Sequence, residues 1–232
     1  MPTQLPLQLD IPEQYRFAHY HSGANREAVI TLQRWAEGEG ERYLYLWGEP
    51  GSGKTHLLQA CCHTAHRHGR RVGYLPLSRF HRQDPALLEG LERVDLLCID
   101  DVHVIAGDPD WELALFHCFN RLSDQGRRLL AAGRWPPARL PIRLTDLRTR
   151  LAWGLTLQLK PLDDADKLAA LRLRARHLGL ELSPQVARFL LTRHPRDLPS
   201  LWRLLEQLDR ATLAAKRKLT IPFLKQFLEQ RP

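Results

Sequence analysis

The chain has 232 residues, a formal net charge of +8, 26% charged residues and 44% apolar residues. These values are ordinary for a globular protein, and they exclude a disordered chain, a collagen-like repeat and a mini-protein that needs disulfides or metals to fold. The length suits one domain of moderate size or two small domains. The excess of positive charge favours an anionic partner, such as a nucleic acid, a nucleotide or an acidic protein surface, without choosing among them.

The sequence has neither an apolar run long enough to span a membrane nor a basic N-terminal segment followed by an apolar core. We therefore expect no membrane partner, no secretory signal and a cytoplasmic location. The four cysteines show no Cys-x-x-Cys spacing and lie inside apolar or helical patterns. This arrangement predicts buried free thiols, as is usual in a reducing compartment.

Strands and helices alternate along the chain as far as Pro161. A polar, proline-rich tail over residues 1–22 comes first. The predicted strands are 43–47, 72–77, 94–99, 128–132 and 155–159. The predicted helices are 25–37, 54–68, 86–93 and 111–124. This alternation is typical of an α/β domain with a parallel five-stranded sheet, which we place at residues 23–160.

Strand patterns stop after Pro161, and the remaining 161–232 segment predicts a small all-helical domain. Its predicted helices are 163–177, 183–192, 198–215 and 221–229. Ser183, followed by Pro184, is suited to begin one helix as an N-cap, and Thr220 is suited to begin the last.

The segment GEPGSGKT matches the phosphate-loop pattern G-x-x-x-x-G-K-[ST] between a predicted strand and a predicted helix. Glycines permit positive φ angles and close backbone approach, so the loop amides can bind phosphate at a helix N-terminus. Lys54 is expected to contact the β- and γ-phosphates, and the Thr55 hydroxyl to ligate Mg²⁺. The predicted nucleotide-binding residues here are Gly48, Pro50, Gly51, Ser52, Gly53, Lys54 and Thr55. The alternative is a glycine-rich turn with no ligand.

An apolar strand pattern ends in two acids, Asp100 and Asp101. Asp100 is expected to hold Mg²⁺ together with Thr55. The alternative is a pair of acids that only caps the following loop. With the phosphate loop, the acids predict a site for ATP or ADP with Mg²⁺.

Several further segments resemble the DnaA-related family of AAA+ ATPases, and its Hda branch most of all. They are IDDVHVIAG (99–107), WELALFHCFNRL (111–122), RTRLAWGLTLQL (148–159), DKLAALRLRARHLGLEL (166–182) and LDRATLAAKRKLTIPFLK (208–225). The resemblance covers nearly the whole chain and implies an AAA+ core followed by a helical lid, without a DNA-reading domain. In this family, an acid at the position of Asp101 polarises the attacking water.

The resemblance also gives the N-terminal tail a partner. Gln4-Leu5-Pro6-Leu7-Gln8-Leu9 resembles the short peptide by which Hda-type proteins grip the replication sliding clamp. An amide and alternating leucines on an extended segment suit a polar rim beside an apolar cleft. The predicted clamp-binding residues are Gln4, Leu5, Leu7 and Leu9. The alternatives are a frayed terminus and an edge strand.

Other site residues are implied by the same resemblance. Arg150 matches an arginine finger that acts in trans on nucleotide bound to DnaA, and Arg148 is the residue most easily confused with it. Arg196 matches a lid arginine that contacts the protein's own nucleotide; alternatively, it only begins a helix. Asn25 falls where the family frames the base. Gly133 departs from the family, which carries a polar residue there, so intrinsic hydrolysis is expected to be weak at most.

The resemblance implies a negative regulator of replication initiation that binds the DNA-loaded clamp and stimulates ATP hydrolysis by DnaA. It also implies self-association into a homo-oligomer, and contact with DNA that is non-specific at most. One alternative is a self-sufficient AAA+ ATPase, such as a helicase loader that binds single-stranded DNA. Another is a small-molecule kinase on the same phosphate loop, although the sequence offers no obvious arginine-rich lid or acceptor pocket.

Overall fold

A computed structural model of the chain describes residues 15–194, 197–215 and 218–229. The contacts divide it into two compact units. The first contains Ala24–Pro161 with residues 15–17, and the second contains residues from Leu162 onward together with Ala18–Gly23. In the part of the chain that the structure describes, every helix is too short or too polar to cross a lipid bilayer.

The first unit is built on a parallel five-stranded sheet, which confirms the predicted fold class. The strands are β1 (Tyr43–Gly48), β2 (Val72–Pro76), β3 (Leu96–Asp100), β4 (Arg128–Gly133) and β5 (Leu155–Leu159). Their order across the sheet is β2-β3-β4-β1-β5. Because all neighbours are parallel, the carboxyl ends of the strands share one edge, and both the phosphate loop and the acid pair follow strands at that edge.

In the described part of this unit, five α-helices accompany the sheet. They are α1 (Arg26–Glu37), α2 (Lys54–Arg67), α3 (Leu77–Phe80), α4 (Pro109–Asp124) and α5 (Thr145–Leu151). The α4 helix begins after Asp108, whose carboxylate accepts hydrogen bonds from the amides of Asp110 and Trp111 at 3.1 and 3.3 Å. Apolar periodicity did not predict α3 and α5, since helices of 4 and 7 residues are too short for a helical pattern to repeat.

The predicted helix over 86–93 is wrong. Two short 3₁₀ turns, Pro85–Leu88 and Leu91–Arg93, occupy this segment instead. Gly90 lies between them with φ at +80°, a left-handed conformation that interrupts a helix. Leu88 and Leu91 are nevertheless buried, so their apolar spacing reflects contact with the core rather than a helix.

The core of this unit lies against the sheet. Every residue of β3 is buried, as its nearly continuous apolar pattern predicted. The cysteines, Cys61, Cys62, Cys98 and Cys118, are free and buried, which confirms the prediction for them. Burial raises the pKa of the Cys61 and Cys98 thiols, so these groups are held as unreactive core side chains.

The second unit is helical. Its helices are α6 (Asp164–His177), α7 (Pro184–Arg193), α8 (Leu198–Ala215) and α9 (Ile221–Glu229). The two predicted N-caps are confirmed, because Ser183 Oγ accepts the Val186 amide at 3.3 Å and Thr220 Oγ1 accepts the Phe223 amide at 3.4 Å. The Ala18–Gly23 segment joins this unit through its His21 ring, whose Nε2 lies 2.8 Å from Asp166 Oδ1.

Candidate functional site

The phosphate loop connects β1 to the N-terminus of α2. Gly51 and Gly53 have φ angles of +81° and +93°, which glycine adopts readily and other residues rarely do. A Cβ at Gly48 would lie 2.7 Å from the Leu159 carbonyl oxygen, so this position also needs glycine. The loop therefore leads its backbone directly into the first turn of a 14-residue helix, where unpaired amides favour an anion.

Lys54 is the buried cation of this loop. The residue is only 8% exposed, and its Nζ donates to the carbonyl oxygens of Gly48 at 2.7 Å and Glu49 at 3.0 Å. Burial lowers the pKa of Lys54, while the charges of Asp100 and Asp101 act in the opposite direction. Because both hydrogen-bond partners are neutral carbonyls, the ammonium charge is available to an anionic ligand.

Asp100 and Thr55 form a compact set of oxygen atoms beside the loop. Thr55 Oγ1 donates to Asp100 Oδ2 at 2.6 Å, and the Tyr74 hydroxyl donates to the same oxygen at 3.2 Å. Asp100 is 1% exposed, and this burial, followed by the charge of Asp101, raises its pKa. A carboxylate and a hydroxyl in contact are hard oxygen donors of the kind that Mg²⁺ prefers.

Asp101 has an unusual backbone conformation. Among the described residues other than glycine it alone has a positive φ, at +59°. Its amide donates to Asp100 Oδ1 at 3.0 Å, so the two predicted acids are locked together. Strained φ values of this kind persist where the surroundings enforce them, and they concentrate at functional sites.

Two basic residues of this region were missed by the sequence analysis. The charges of Lys54 and Arg134 oppose protonation of His103, although burial is the main cause that lowers the pKa of His103. The charge of Arg134 also acts on Lys54. Arg134 directly follows β4, so its place at the carboxyl edge of the sheet was the available signal. The charges of Lys54 and Arg134 therefore interact in a site that also contains the carboxyl groups of Asp100 and Asp101.

Asn25 is buried and bound to backbone. Its Nδ2 donates to the Lys160 carbonyl oxygen at 2.9 Å, and its Oδ1 accepts from the Lys160 amide at 2.7 Å. These bonds join the start of α1 to the residue after β5. The predicted contact with a base stays a prediction, and the side-chain amide already makes two hydrogen bonds.

Arg150 lies in the last turn of α5, against aromatic rings. Its Cζ is 4.5 Å from the ring centroid of Trp153 and 5.8 Å from that of Phe119. Over residues 15–194, 197–215 and 218–229, its guanidinium has neither an acidic partner nor a hydrogen-bond acceptor. Arg148 lies two residues away, so the two side chains leave the helix in different directions.

Two known family models match this chain. The family model of the bacterial DnaA ATPase domain matches residues 11–158, and the model of the Hda lid domain matches residues 164–228. The chain belongs to the DnaA-related AAA+ family. Its lid is of the Hda type, which confirms the branch that the sequence segments resembled.

Solved structures of the DnaA family share this fold. Domain III of DnaA from Thermotoga maritima superposes with a TM-score of 0.80 at 24% identity, over 90% of this chain and 93% of that one. A DnaA bound to AMPPCP and single-stranded DNA gives a TM-score of 0.70 at 25% identity, over 88% of this chain and 66% of that one. The RuvB branch-migration motor of Thermotoga maritima, at 19% identity and a TM-score of 0.62, covers 92% of this chain and 73% of its own, and shares the fold alone.

A buried tyrosine packs against Gly133. Gly133 ends β4, where the family resemblance implies a polar residue. The Tyr45 hydroxyl occupies the space beside it and donates to the Trp135 carbonyl oxygen at 3.1 Å. A Cβ at residue 133 would overlap this hydroxyl. Tyr45, which the sequence analysis did not single out, therefore requires glycine at residue 133.

Some predicted residues of this DnaA-related protein lie outside the described part of the chain. They are Gln4, Leu5, Leu7, Leu9 and Arg196. The roles predicted for them, in clamp binding and in contact with the protein's own nucleotide, stay predictions.

Proposed function

We propose that this protein binds an adenine nucleotide with Mg²⁺ and stimulates ATP hydrolysis on DnaA, thereby limiting replication initiation. The observation that carries the proposal is Arg150, whose guanidinium has no internal acceptor in the described part of the chain. An arginine placed in trans against a transferring phosphoryl group stabilises the charge of the transition state, an effect on the order of 10³–10⁵ in rate.

The protein's own nucleotide would occupy the phosphate loop. Lys54 and the amides at Gly51 and Gly53 suit its phosphates, while Thr55 and Asp100 suit Mg²⁺, which neutralises phosphate charge when bound. The DnaA structure bound to AMPPCP supports an adenine nucleotide as the ligand. Two predicted roles complete this site, with Arg196 contacting the phosphates and Asn25 lying beside the base.

Hydrolysis of this nucleotide by the protein itself is expected to be slow. Asp101 is the predicted acid for polarising water, but Gly133 has no side chain to orient that water. Tyr45 fills the space beside Gly133, and its hydroxyl is already bonded to the Trp135 carbonyl. A long-lived nucleotide-bound form fits a regulator better than a fast ATPase.

The decisive experiment compares two arginines of one helix. ATP-loaded DnaA is mixed with DNA-loaded clamp and with wild-type protein, Arg150→Ala or Arg148→Ala, and phosphate release is followed. We expect Arg150→Ala to fall to the unstimulated rate of DnaA and Arg148→Ala to stay within about threefold of wild type, since finger arginines are worth on the order of 10³ or more. Normal stimulation by Arg150→Ala would overturn the proposal.

The tail is proposed as the clamp-binding element. In a pull-down with the sliding clamp, full-length protein should be retained, while a chain lacking residues 1–10 and the double substitution Gln4→Ala/Leu5→Ala should not. Arg150→Ala should be retained like wild type, because the proposal gives docking and stimulation to different residues. Retention of the truncated chain would contradict a role for the tail.

A second candidate is a self-sufficient ATPase that binds single-stranded DNA. The observation that favours this candidate is the similar DnaA structure that contains single-stranded DNA. It predicts turnover by this protein alone that rises when single-stranded DNA is added. Our proposal instead predicts that such DNA leaves its slow turnover unchanged. Homo-oligomer formation, also proposed, is tested by light scattering of the nucleotide-bound protein.

A further inference from the structure

Arg150 rests on a cluster of three aromatic side chains, which we call the aromatic platform: Tyr43, Phe119 and Trp153. The Trp153 ring lies 5.9 Å from Tyr43, nearly parallel at 19°, and 6.2 Å from Phe119 at 27°. Tyr43 and Phe119 are 4.8 Å apart. The guanidinium of Arg150 is nearest to Trp153, which is the most exposed of the three.

Core packing does not account for Trp153. The residue is 57% exposed, whereas Trp35 and Trp111 are 1% exposed. A tryptophan face is the best aromatic partner for an arginine, because the ring quadrupole attracts the cation and the flat guanidinium stacks on it. The exposed indole therefore restrains the guanidinium of Arg150 through its ring face and leaves the guanidinium N–H groups available to an anion.

The backbone fixes the place of Trp153. Its amide donates to the Arg150 carbonyl oxygen at 3.1 Å, which closes the end of α5. The next residue, Gly154, lies so close to the Tyr43 backbone that a Cβ there would overlap the Tyr43 carbonyl oxygen. The turn that carries the indole is therefore pinned to the first residue of β1.

The opposite end of α5 is held as well. Glu112 is 1% exposed, and its carboxylate accepts the amides of Arg143 and Leu144, at 3.0 and 2.8 Å to Oε2. Leu144 directly precedes α5. Glu112 and Phe119 belong to the same helix, α4, and are two turns apart. One helix thus supports both the start of α5 and the platform beneath its last turn.

We propose that Trp153 is a positioning residue for Arg150, holding its guanidinium plane ready for the phosphate charge of a nucleotide bound to a second AAA+ chain. This inference rests on the proposed function of Arg150. A mobile arginine would meet the same charge less often in the productive geometry, and a misplacement of about 1 Å can cost on the order of 10²-fold in rate.

The test separates positioning from docking. Phosphate release by ATP-loaded DnaA is titrated with wild type, Trp153→Ala, Trp153→Leu and Trp153→Phe in the presence of DNA-loaded clamp. We expect Trp153→Ala and Trp153→Leu to lower the maximal stimulated rate about tenfold, with an unchanged half-saturating concentration. Trp153→Phe should restore most of the rate, because it keeps an aromatic face.

Leu213→Ala is the matched control, since Leu213 is an exposed apolar side chain of the other unit, and it should behave as wild type. Thermal melting of each variant checks folding, which an exposed position should leave intact. A wild-type maximal rate for Trp153→Leu would overturn positioning, and so would a change confined to the half-saturating concentration. If Arg150→Ala then also stimulates like wild type, the proposed function is wrong. If Arg150→Ala is inactive, the proposed function stands and only the positioning role of Trp153 is wrong.

Discussion

The contact between Tyr45 and Gly133 predicts a large energetic coupling between two residues that are 88 positions apart. A methyl group introduced by Gly133→Ala would overlap the Tyr45 hydroxyl and lie 3.2 Å from Cζ. Tyr45 is 1% exposed and belongs to β1, between β4 and β5, so its ring has little freedom to move away. Overpacking of this kind costs about 1–3 kcal/mol of the free energy of unfolding.

The partner substitution removes the overlapping atom. Tyr45→Phe loses the hydrogen bond to the Trp135 carbonyl oxygen, which costs about 1 kcal/mol by itself. In that background, the methyl group of Gly133→Ala meets Cζ at 3.2 Å, which a shift of a few tenths of an ångström relieves. We therefore expect the double variant to be more stable than the sum of the single effects by about 1–2 kcal/mol.

Urea unfolding of the four proteins measures this coupling, provided that the dependence of the unfolding free energy on urea stays constant. Tyr74→Phe is the control, because Tyr74 is a buried tyrosine on β2, two strands and roughly 10 Å from β4. Its effect should add to that of Gly133→Ala. Additivity of Tyr45→Phe and Gly133→Ala within about 0.5 kcal/mol would refute the reasoning.

Three further predictions concern ligand binding, stability and pH. Lys54→Met should abolish the gain in melting temperature that saturating ATP with Mg²⁺ gives wild type, a gain equivalent to about 2.7 kcal/mol at 100 times the dissociation constant. Glu112→Gln should lower the unfolding free energy in urea by about 2–3 kcal/mol, because an amide group cannot accept all the backbone N–H groups that face the carboxylate. Hydrogen bonds from Arg71 lower the pKa of Asp95 in the folded protein. The ion pairs of Asp95 therefore stabilise the fold fully at pH values above the unfolded-state pKa of about 3.9. This stabilisation is lost as the pH falls through the lower pKa of the folded state. The difference in stability between wild type and Asp95→Ala should therefore shrink on acidification, as urea titrations from pH 7 toward pH 3 would reveal.

Local patterns were sufficient for much of the fold. The continuous apolar run before Asp100 predicted a strand buried on both faces, and the phosphate-loop pattern predicted where α2 begins. They failed where a helix is too short for its apolar spacing to repeat, and where apolar spacing occurs without a helix. The α5 helix has 7 residues, and the 86–93 segment has apolar spacing without a helix because Gly90 turns the chain.

Sequence patterns identified the phosphate loop and Asp100, which the fold brings together, but not contacts between residues that no motif marks. Lys54 and Thr55 belong to one motif, whereas the Tyr45 contact depends on strand register. Tyr45 pairs with Ala131, which puts its hydroxyl next to the residue two positions further along β4. The same holds for the aromatic platform, since only the fold shows that an exposed tryptophan lies beneath Arg150.

Tertiary contacts also show that part of the net charge of +8 has a structural role. Arg128 donates to carbonyl oxygens of the 38–41 loop, at 2.9 Å for Glu39 and 3.1 Å for Gly40, and Arg70 donates to the Glu37 carbonyl at 2.8 Å. These two guanidiniums satisfy carbonyl groups at and just beyond the end of α1, where the helix dipole favours positive charge. Part of the positive charge therefore stabilises the fold instead of attracting DNA. Total charge is a weak predictor of an anionic partner in this protein. The proposal of such a partner at Arg150 rests instead on a guanidinium that stacks on aromatic rings and has no acceptor among the described residues.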